Sequence, residues 1–138
     1  MSLLIWLKPG EEVMVNGARI ENPHSHKIRL LFNNEVRVLR ERDRFDPPED
    51  ASSAERLYYE AMLLSGGDVD GSEARLLEAI QAYGPPTTSS RSPVGAAEES
   101  LKRIRACAEA KQFYAAMTEA RALIALESPD HRLLPRKA

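Results

Sequence analysis

Six cations between residues 27 and 44 are the side chains best placed to bind a ligand. Several alternate with apolar positions, so they would share one face of a β-sheet, and cations at sheet spacing can pair with nucleic-acid phosphates. The same charges could instead be solvated residues that protect a strand edge, and the pattern leaves both interpretations open. The six are Lys27, Arg29, Arg37, Arg40, Arg42 and Arg44.

Four apolar side chains are candidates for contact with another molecule. Trp6 lies in an apolar run, where it could stack on a nucleic-acid base or pack in a core or an interface. The other three belong to a run with helical spacing, in which an aromatic pair precedes small residues. Such a run resembles half of a helical-hairpin repeat that binds protein, or a helix packed on the sheet. These three are Phe113, Tyr114 and Met117.

Catalytic and metal-binding patterns are weak in this sequence. His24 and His26 are two residues apart in a turn without a nearby cysteine, which makes a poor tetrahedral metal site. Cys107 lies between alanines on a predicted helix, where a buried structural thiol is the ordinary case. The segment GGDVDGSE lacks the ligand series of a calcium loop. We therefore expect no enzymatic activity, no cofactor and no metal.

Length and composition predict one intracellular domain. The chain has 138 residues, a formal net charge of −2 and one cysteine. An intrachain disulfide is therefore impossible, and a reducing cytoplasm is the expected location. The apolar run at the start is too short for a signal sequence or a membrane span. Because the charge is mixed in sign, a nucleic-acid contact would need a local basic patch.

Two turns predict that residues 1–45 form an antiparallel β subdomain. Pro9-Gly10 suits a type II turn, and Asn16-Gly17 suits a two-residue type I′ hairpin. A second hairpin is expected with a three-residue loop at 33–35, which would pair Phe32 with Val36. Lys27, Arg29 and Arg37 would then share the face opposite the apolar one. The predicted form is a meander, a small sandwich or a barrel.

The consecutive prolines at 47 and 48 mark a linker over 46–51, because proline disrupts both ladders and helices. Residues 52–127 are predicted to form about four short helices, beginning at a capping box of Ser52 and Glu55. Two helices meeting near Lys111 are expected within 96–127. A mobile loop is expected near 84–95 and a tail over 128–138. The predicted fold class is therefore α+β.

Three blocks of the sequence resemble the flagellum biosynthesis repressor FlbT family. They are the opening LKPGEEVMVNGARI, the strand RLLFNNEVRVLRERD and the terminal run FYAAMTEARALIALE. The resemblance covers residues 3–64 and, less closely, 100–127. The chain has AEAKQFY where that family commonly has a glycine before the aromatic pair. The resemblance implies a cytoplasmic post-transcriptional regulator, without a catalytic motif, that binds the leader of flagellin messenger RNA.

A second function of a different class stays open at this point. The helical part could bind flagellin or another flagellar regulatory protein, and effects on messenger RNA would then be indirect. In either case we expect a homo-oligomer, because the run from Leu3 to Leu7 is too apolar for an unprotected strand edge. No membrane partner is expected.

Overall fold

The computed structural model describes residues 3–83 and 96–127, together with His131 and Leu133. The predicted loop at 84–95 and the rest of the predicted tail lie outside the described residues. The fold class is α+β, as predicted, with strands first and helices after them. The strands are β1 Leu3–Leu7, β2 Glu12–Val15, β3 Ala18–Glu21, β4 Ile28–Phe32 and β5 Val38–Arg40; the helices are α1 Ser53–Ser65, α2 Glu73–Ala82, α3 Ala96–Glu109 and α4 Phe113–Glu127.

Both predicted turns near the start are confirmed. Gly10 has a φ of 76°, and the Glu11 amide donates to the Lys8 carbonyl oxygen at 3.0 Å, which closes the first turn. Asn16 and Gly17 have φ values of 51° and 87°, the left-handed pair that a type I′ hairpin requires. This hairpin joins β2 to β3.

The predicted second hairpin is wrong. β4 pairs with β1, so that Leu30 lies opposite Ile5, and β5 pairs with β2, so that Val38 lies opposite Val15. Alternating polarity fixes the face of each residue but not the partner strand, and the apolar β1 offers β4 a full-length antiparallel partner. The described strands therefore form two open sheets, β1–β4 and β3–β2–β5, and no closed barrel.

The two sheets share a small apolar cluster. Its buried members are Ile5 and Leu7 of β1 and Val13 and Val15 of β2. Asn22 closes one end of β1, because its buried amide nitrogen donates to the carbonyl oxygens of Leu7, Lys8 and His26 at 2.9–3.1 Å. Asn22 therefore joins the end of β1 to the turn that precedes β4.

Local chemistry sets the ends of the helices. The predicted capping box is confirmed at the start of α1, where Ser52 and Glu55 exchange side-chain and backbone hydrogen bonds. α1 ends at Ser65 and is capped by Gly66, and Gly67 follows with a φ of 71°. The predicted break near Lys111 is also confirmed, because this residue has a φ of 59° between α3 and α4.

The larger core lies between α1 and the other helices. Leu57 and Ala61 of α1 are fully buried in it, with Met117 and Leu123 of α4. Residues that precede α1 also join this core, and one from the predicted tail does so as well. These residues are Leu39, Phe45 and Leu133. The strands and the helices therefore share part of this core. A division into two subdomains at 46–51 stays a prediction.

None of the helices in the described residues is both long and apolar enough to span a bilayer.

Candidate nucleic-acid interface

The outward face of the two-stranded sheet exposes large apolar side chains. Alternation along β1 directs Ile5 and Leu7 inward, so Leu4 and Trp6 point away from the small core. Cross-strand register places Leu4 opposite Leu31 and Trp6 opposite Arg29. We call these four residues, Leu4, Trp6, Arg29 and Leu31, the outer sheet face.

The aromatic ring and the cation of this face lie together. The Arg29 guanidinium is 5.5 Å from the centroid of the Trp6 ring, a distance typical of a cation–π contact. Both side chains are exposed, and Trp6 retains 51% of its accessible surface. A nucleobase could therefore stack on the free area of the ring, while the guanidinium lies within reach of a backbone phosphate.

Lys27 adds a second cation directly before β4. It is exposed and follows the turn that Asn22 holds through the His26 carbonyl oxygen. His24 and His26 are exposed in that turn, and the described residues contain no cluster of side chains suited to a metal ion. Of the six cations predicted from the sequence, Lys27 and Arg29 are the two that lie in or next to β4.

Arg37 lies in a different environment from Arg29. Its guanidinium donates to the Leu64 carbonyl oxygen at 3.3 Å and lies 5.3 Å from the ring centroid of Phe113. Its backbone amide donates to the Asn16 side chain at 2.9 Å. Because the second hairpin is not formed, the predicted common face of Lys27, Arg29 and Arg37 is wrong. Arg37 instead joins the strands to the ends of α1 and α4.

Two further cations are engaged in ion pairs. Arg40 lies 3.3 Å from Glu11 and also donates to the Trp6 carbonyl oxygen at 3.1 Å. A backbone hydrogen bond from Lys8, together with Arg40, lowers the pKa of Glu11 although partial burial raises it. Arg44 pairs with Glu12 at 3.5 Å. These contacts reduce the charge available to a phosphate.

The last of the six cations, Arg42, is exposed in the short 3₁₀ turn after β5.

The four candidates for protein contact divide by burial. Trp6 and Tyr114 are each 51% exposed, whereas Phe113 and Met117 belong to the helical core at 4% and 0%. Tyr114 and Phe113 line an open groove of about 560 Å³ between the strands and α4, and Leu3 of β1 lines it as well.

Sequence reasoning missed Leu4 and Leu31 as functional candidates. They are 49% and 61% exposed and belong to neither core cluster. A signal was present, because Leu31 alternates out of phase with Ile28, Leu30 and Phe32. An apolar residue on the outward phase of a strand indicates a contact surface.

Comparison with known proteins gives a family match over most of the chain. The family model described as Flagellar protein FlbT matches residues 3–129. A flagellum biosynthesis repressor protein FlbT of Caulobacter vibrioides is 34% identical over 64 residues, which are 46% of this chain and 45% of that protein. A probable flagellum biosynthesis repressor protein FlbT of Caulobacter sp. strain K31 is 36% identical over 64 residues, 46% of this chain and 48% of its own length. The match therefore spans just under half of these curated relatives. No solved structure matches the chain.

Proposed function

Because the chain belongs to the FlbT family of flagellar proteins, we propose that it regulates flagellar gene expression. In this proposal it acts in the cytoplasm, without catalysis, as a post-transcriptional regulator of flagellin synthesis that binds the leader of flagellin messenger RNA. The names of the Caulobacter relatives, which describe repressors of flagellum biosynthesis, support a regulatory role.

The observation that carries the RNA-binding part is the exposed pair of Trp6 and Arg29 on the outer sheet face. Stacking of a base on an aromatic side chain contributes about 1–3 kcal/mol and requires an unpaired base. The guanidinium beside the ring supplies a charge for the phosphate of the same nucleotide. The favoured ligand is therefore a single-stranded segment of the leader.

Charge limits the strength of such a contact. The chain has a formal net charge of −2, so attraction must come from the local cations Lys27 and Arg29. Each phosphate contact with a single strand contributes about 0.7 to the slope of log affinity against log salt. Two contacts predict a shallow slope of about 1.4, and stacking should supply most of the binding free energy that remains at high salt.

Trp6 makes this proposal directly testable, because it is the only tryptophan in the chain. Addition of a single-stranded leader RNA should quench its fluorescence in a saturable, salt-dependent manner. Trp6→Ala should weaken binding by about tenfold or more, and Trp6→Phe, which keeps a ring, should weaken it less. Saturable binding without any change in Trp6 emission would remove the outer sheet face from the site.

Charge reversal gives a second measurement with a matched control. Lys27→Glu combined with Arg29→Glu should abolish leader binding, because both substitutions place repulsion beside the ring. Arg105→Glu makes the same kind of change at an exposed position of α3 and should leave the affinity within about twofold. Arg37 is unsuitable for such a test, since its side chain holds the end of α1.

A second candidate function is supported by the open groove between the strands and α4. Tyr114 and Leu3 both line it and are exposed, which suits a segment of flagellin or of another flagellar regulatory protein. Tyr114→Ala should then reduce capture of purified flagellin without changing leader binding. If wild-type protein captures flagellin but binds no leader RNA, this function replaces the RNA-binding one.

A further inference from the structure

Among the described residues, β4 is paired along one edge only. Its partner is β1, and no described strand or side chain is hydrogen-bonded along its other edge. The outer edge of β1 does receive a side-chain hydrogen bond, because the Arg40 guanidinium donates to the Trp6 carbonyl oxygen there at 3.1 Å. Of the two outer edges of this sheet, the edge of β1 therefore receives one side-chain hydrogen bond, whereas that of β4 receives none from the described residues.

The contact with Arg40 also fixes which backbone groups of β4 are free. In an antiparallel ladder, residues alternate between pairs that exchange hydrogen bonds and pairs that do not. Since the Trp6 oxygen points toward Arg40, Trp6 and its partner Arg29 form a pair without mutual hydrogen bonds. The N–H and C=O groups of Arg29 and Leu31 must therefore point away from β1, to the free edge.

The side chains along this edge are incompletely covered. Ile28, Leu30 and Phe32 face the small apolar cluster between the sheets but are only partly buried. The cluster has four buried members, none of which comes from β4. A strand added at this edge would cover these three side chains and extend a core that is small for its number of strands.

We propose that a second copy of this chain pairs with β4 in an antiparallel arrangement centred on Leu30. Two-fold symmetry then joins the sheets of two copies into one four-stranded sheet, with the two β4 strands in the middle. Leu30 lies opposite the partner's Leu30, and Ile28 lies opposite the partner's Phe32. All five residues of β4 are paired in this register.

Hydrogen bonding and charge select this register. Arg29 lies opposite the partner's Leu31, and these are the residues whose N–H and C=O groups point to the free edge. The two symmetric pairs exchange four main-chain hydrogen bonds. A register centred on Arg29 would place two guanidinium groups directly opposite each other, which is destabilising. The register centred on Leu30 separates them and joins the two outer sheet faces into one surface.

The sequence of β4 fits a second copy because it carries no protection against edge pairing. The strand IRLLF contains neither proline nor glycine and has one charge, whereas natural edge strands are usually blocked by proline, lysine or a bulge. An antiparallel pairing of identical strands is self-complementary, so one surface serves both partners.

Sedimentation of the full chain without RNA tests the proposal. We expect a dimer across the micromolar range. Leu31→Lys places a cation opposite the partner's Arg29 twice and should weaken dimerisation by about tenfold or more. Leu31→Glu places a carboxylate at the same position and should preserve the dimer. Val69→Lys, at a residue 94% exposed on another element, controls for the added charge and should also preserve it.

A cysteine at the symmetry axis tests the register. Leu30→Cys in a Cys107→Ser background should form an interchain disulfide, because directly opposed residues in a pair without hydrogen bonds lie about 4.5 Å apart. Leu31→Cys in the same background should crosslink much less. A monomer at all concentrations, or a dimer that Leu31→Lys leaves intact, would overturn the proposal. Both measurements omit RNA, so either result leaves the test of leader binding independent.

Discussion

At the residue scale, the carboxylate of Asp43 is a buried charge held in an ion pair. Its side chain is 4% exposed and pairs with Arg121 of α4, while the buried Tyr58 hydroxyl donates to the Asp43 backbone oxygen at 2.5 Å. Removing one partner of a buried ion pair leaves an uncompensated charge and costs about 3–5 kcal/mol. Arg121→Met should therefore lower the free energy of unfolding in urea by that amount.

The effect of a second substitution on stability tests this explanation, because its sign should be opposite in the Arg121→Met protein and in the wild type. Asp43→Asn removes the charge that Arg121 compensates, so it should partly restore stability when added to Arg121→Met. If Asp43→Asn destabilises the Arg121→Met protein as much as it destabilises the wild type, the two side chains are not coupled.

Tyr83, at the end of α2, gives a prediction about pH. Burial and the neighbouring Glu127 carboxylate, which accepts a hydrogen bond from the hydroxyl at 3.3 Å, raise the pKa of Tyr83 from 10.0 to about 12. A raised folded-state pKa gives stabilisation that is complete below pH 10 and is lost as pH rises to about 12. The stability difference between wild type and Tyr83→Phe should shrink across this interval in urea titrations. A constant difference would contradict it.

At the element scale, the turn between α3 and α4 places a non-glycine residue in the left-handed region. Lys111 has a φ of 59°, and its side chain pairs with Glu73 in an exposed contact that contributes little. Lys111→Gly should raise the free energy of unfolding by about 0.5–1 kcal/mol, because glycine accepts this φ without a Cβ clash. Lys111→Ala loses the same ion pair but keeps the clash, so it should be less stable than the glycine variant. Equal stabilities would show that the turn is unstrained.

Elements whose signals are local could be predicted from the sequence, and those that depend on distant partners could not. The Asn16-Gly17 turn and the capping box at Ser52 each depend on a few neighbouring residues, which the sequence shows directly. Both predictions are confirmed. The partner of β4 depends on β1, more than twenty residues earlier, and alternation says nothing about it. The candidate site was therefore found only in part. Arg29 and Trp6 were identified separately, but their contact follows from the pairing of β1 with β4.

At the scale of the whole molecule, the β2–β3 hairpin docks on the C-terminal end of α1. The Gly17 amide donates to the Gly66 carbonyl oxygen at 2.8 Å, and Asn16 holds the backbone of Arg37 beside it. Backbone thus meets backbone at this contact, without intervening side chains. This contact joins the small sheet core to the helical core and fixes the orientation of the strands on the helices.

Gly67 lies at the closest point of this docking contact, and Gly10 provides a matched control. Both have positive φ, 71° and 76°, so alanine at either position costs about 1–2 kcal/mol of backbone strain. A Cβ on Gly67 would also lie 2.9 Å from the Asn16 Cα, whereas a Cβ on Gly10 has no atom within 4 Å. Because backbone cannot yield as a side chain can, Gly67→Ala should cost about 1–3 kcal/mol more than Gly10→Ala in urea unfolding. It should also accelerate hydrogen exchange at the Gly17 amide, and equal losses in the two variants would mean that the hairpin and α1 are not in rigid contact.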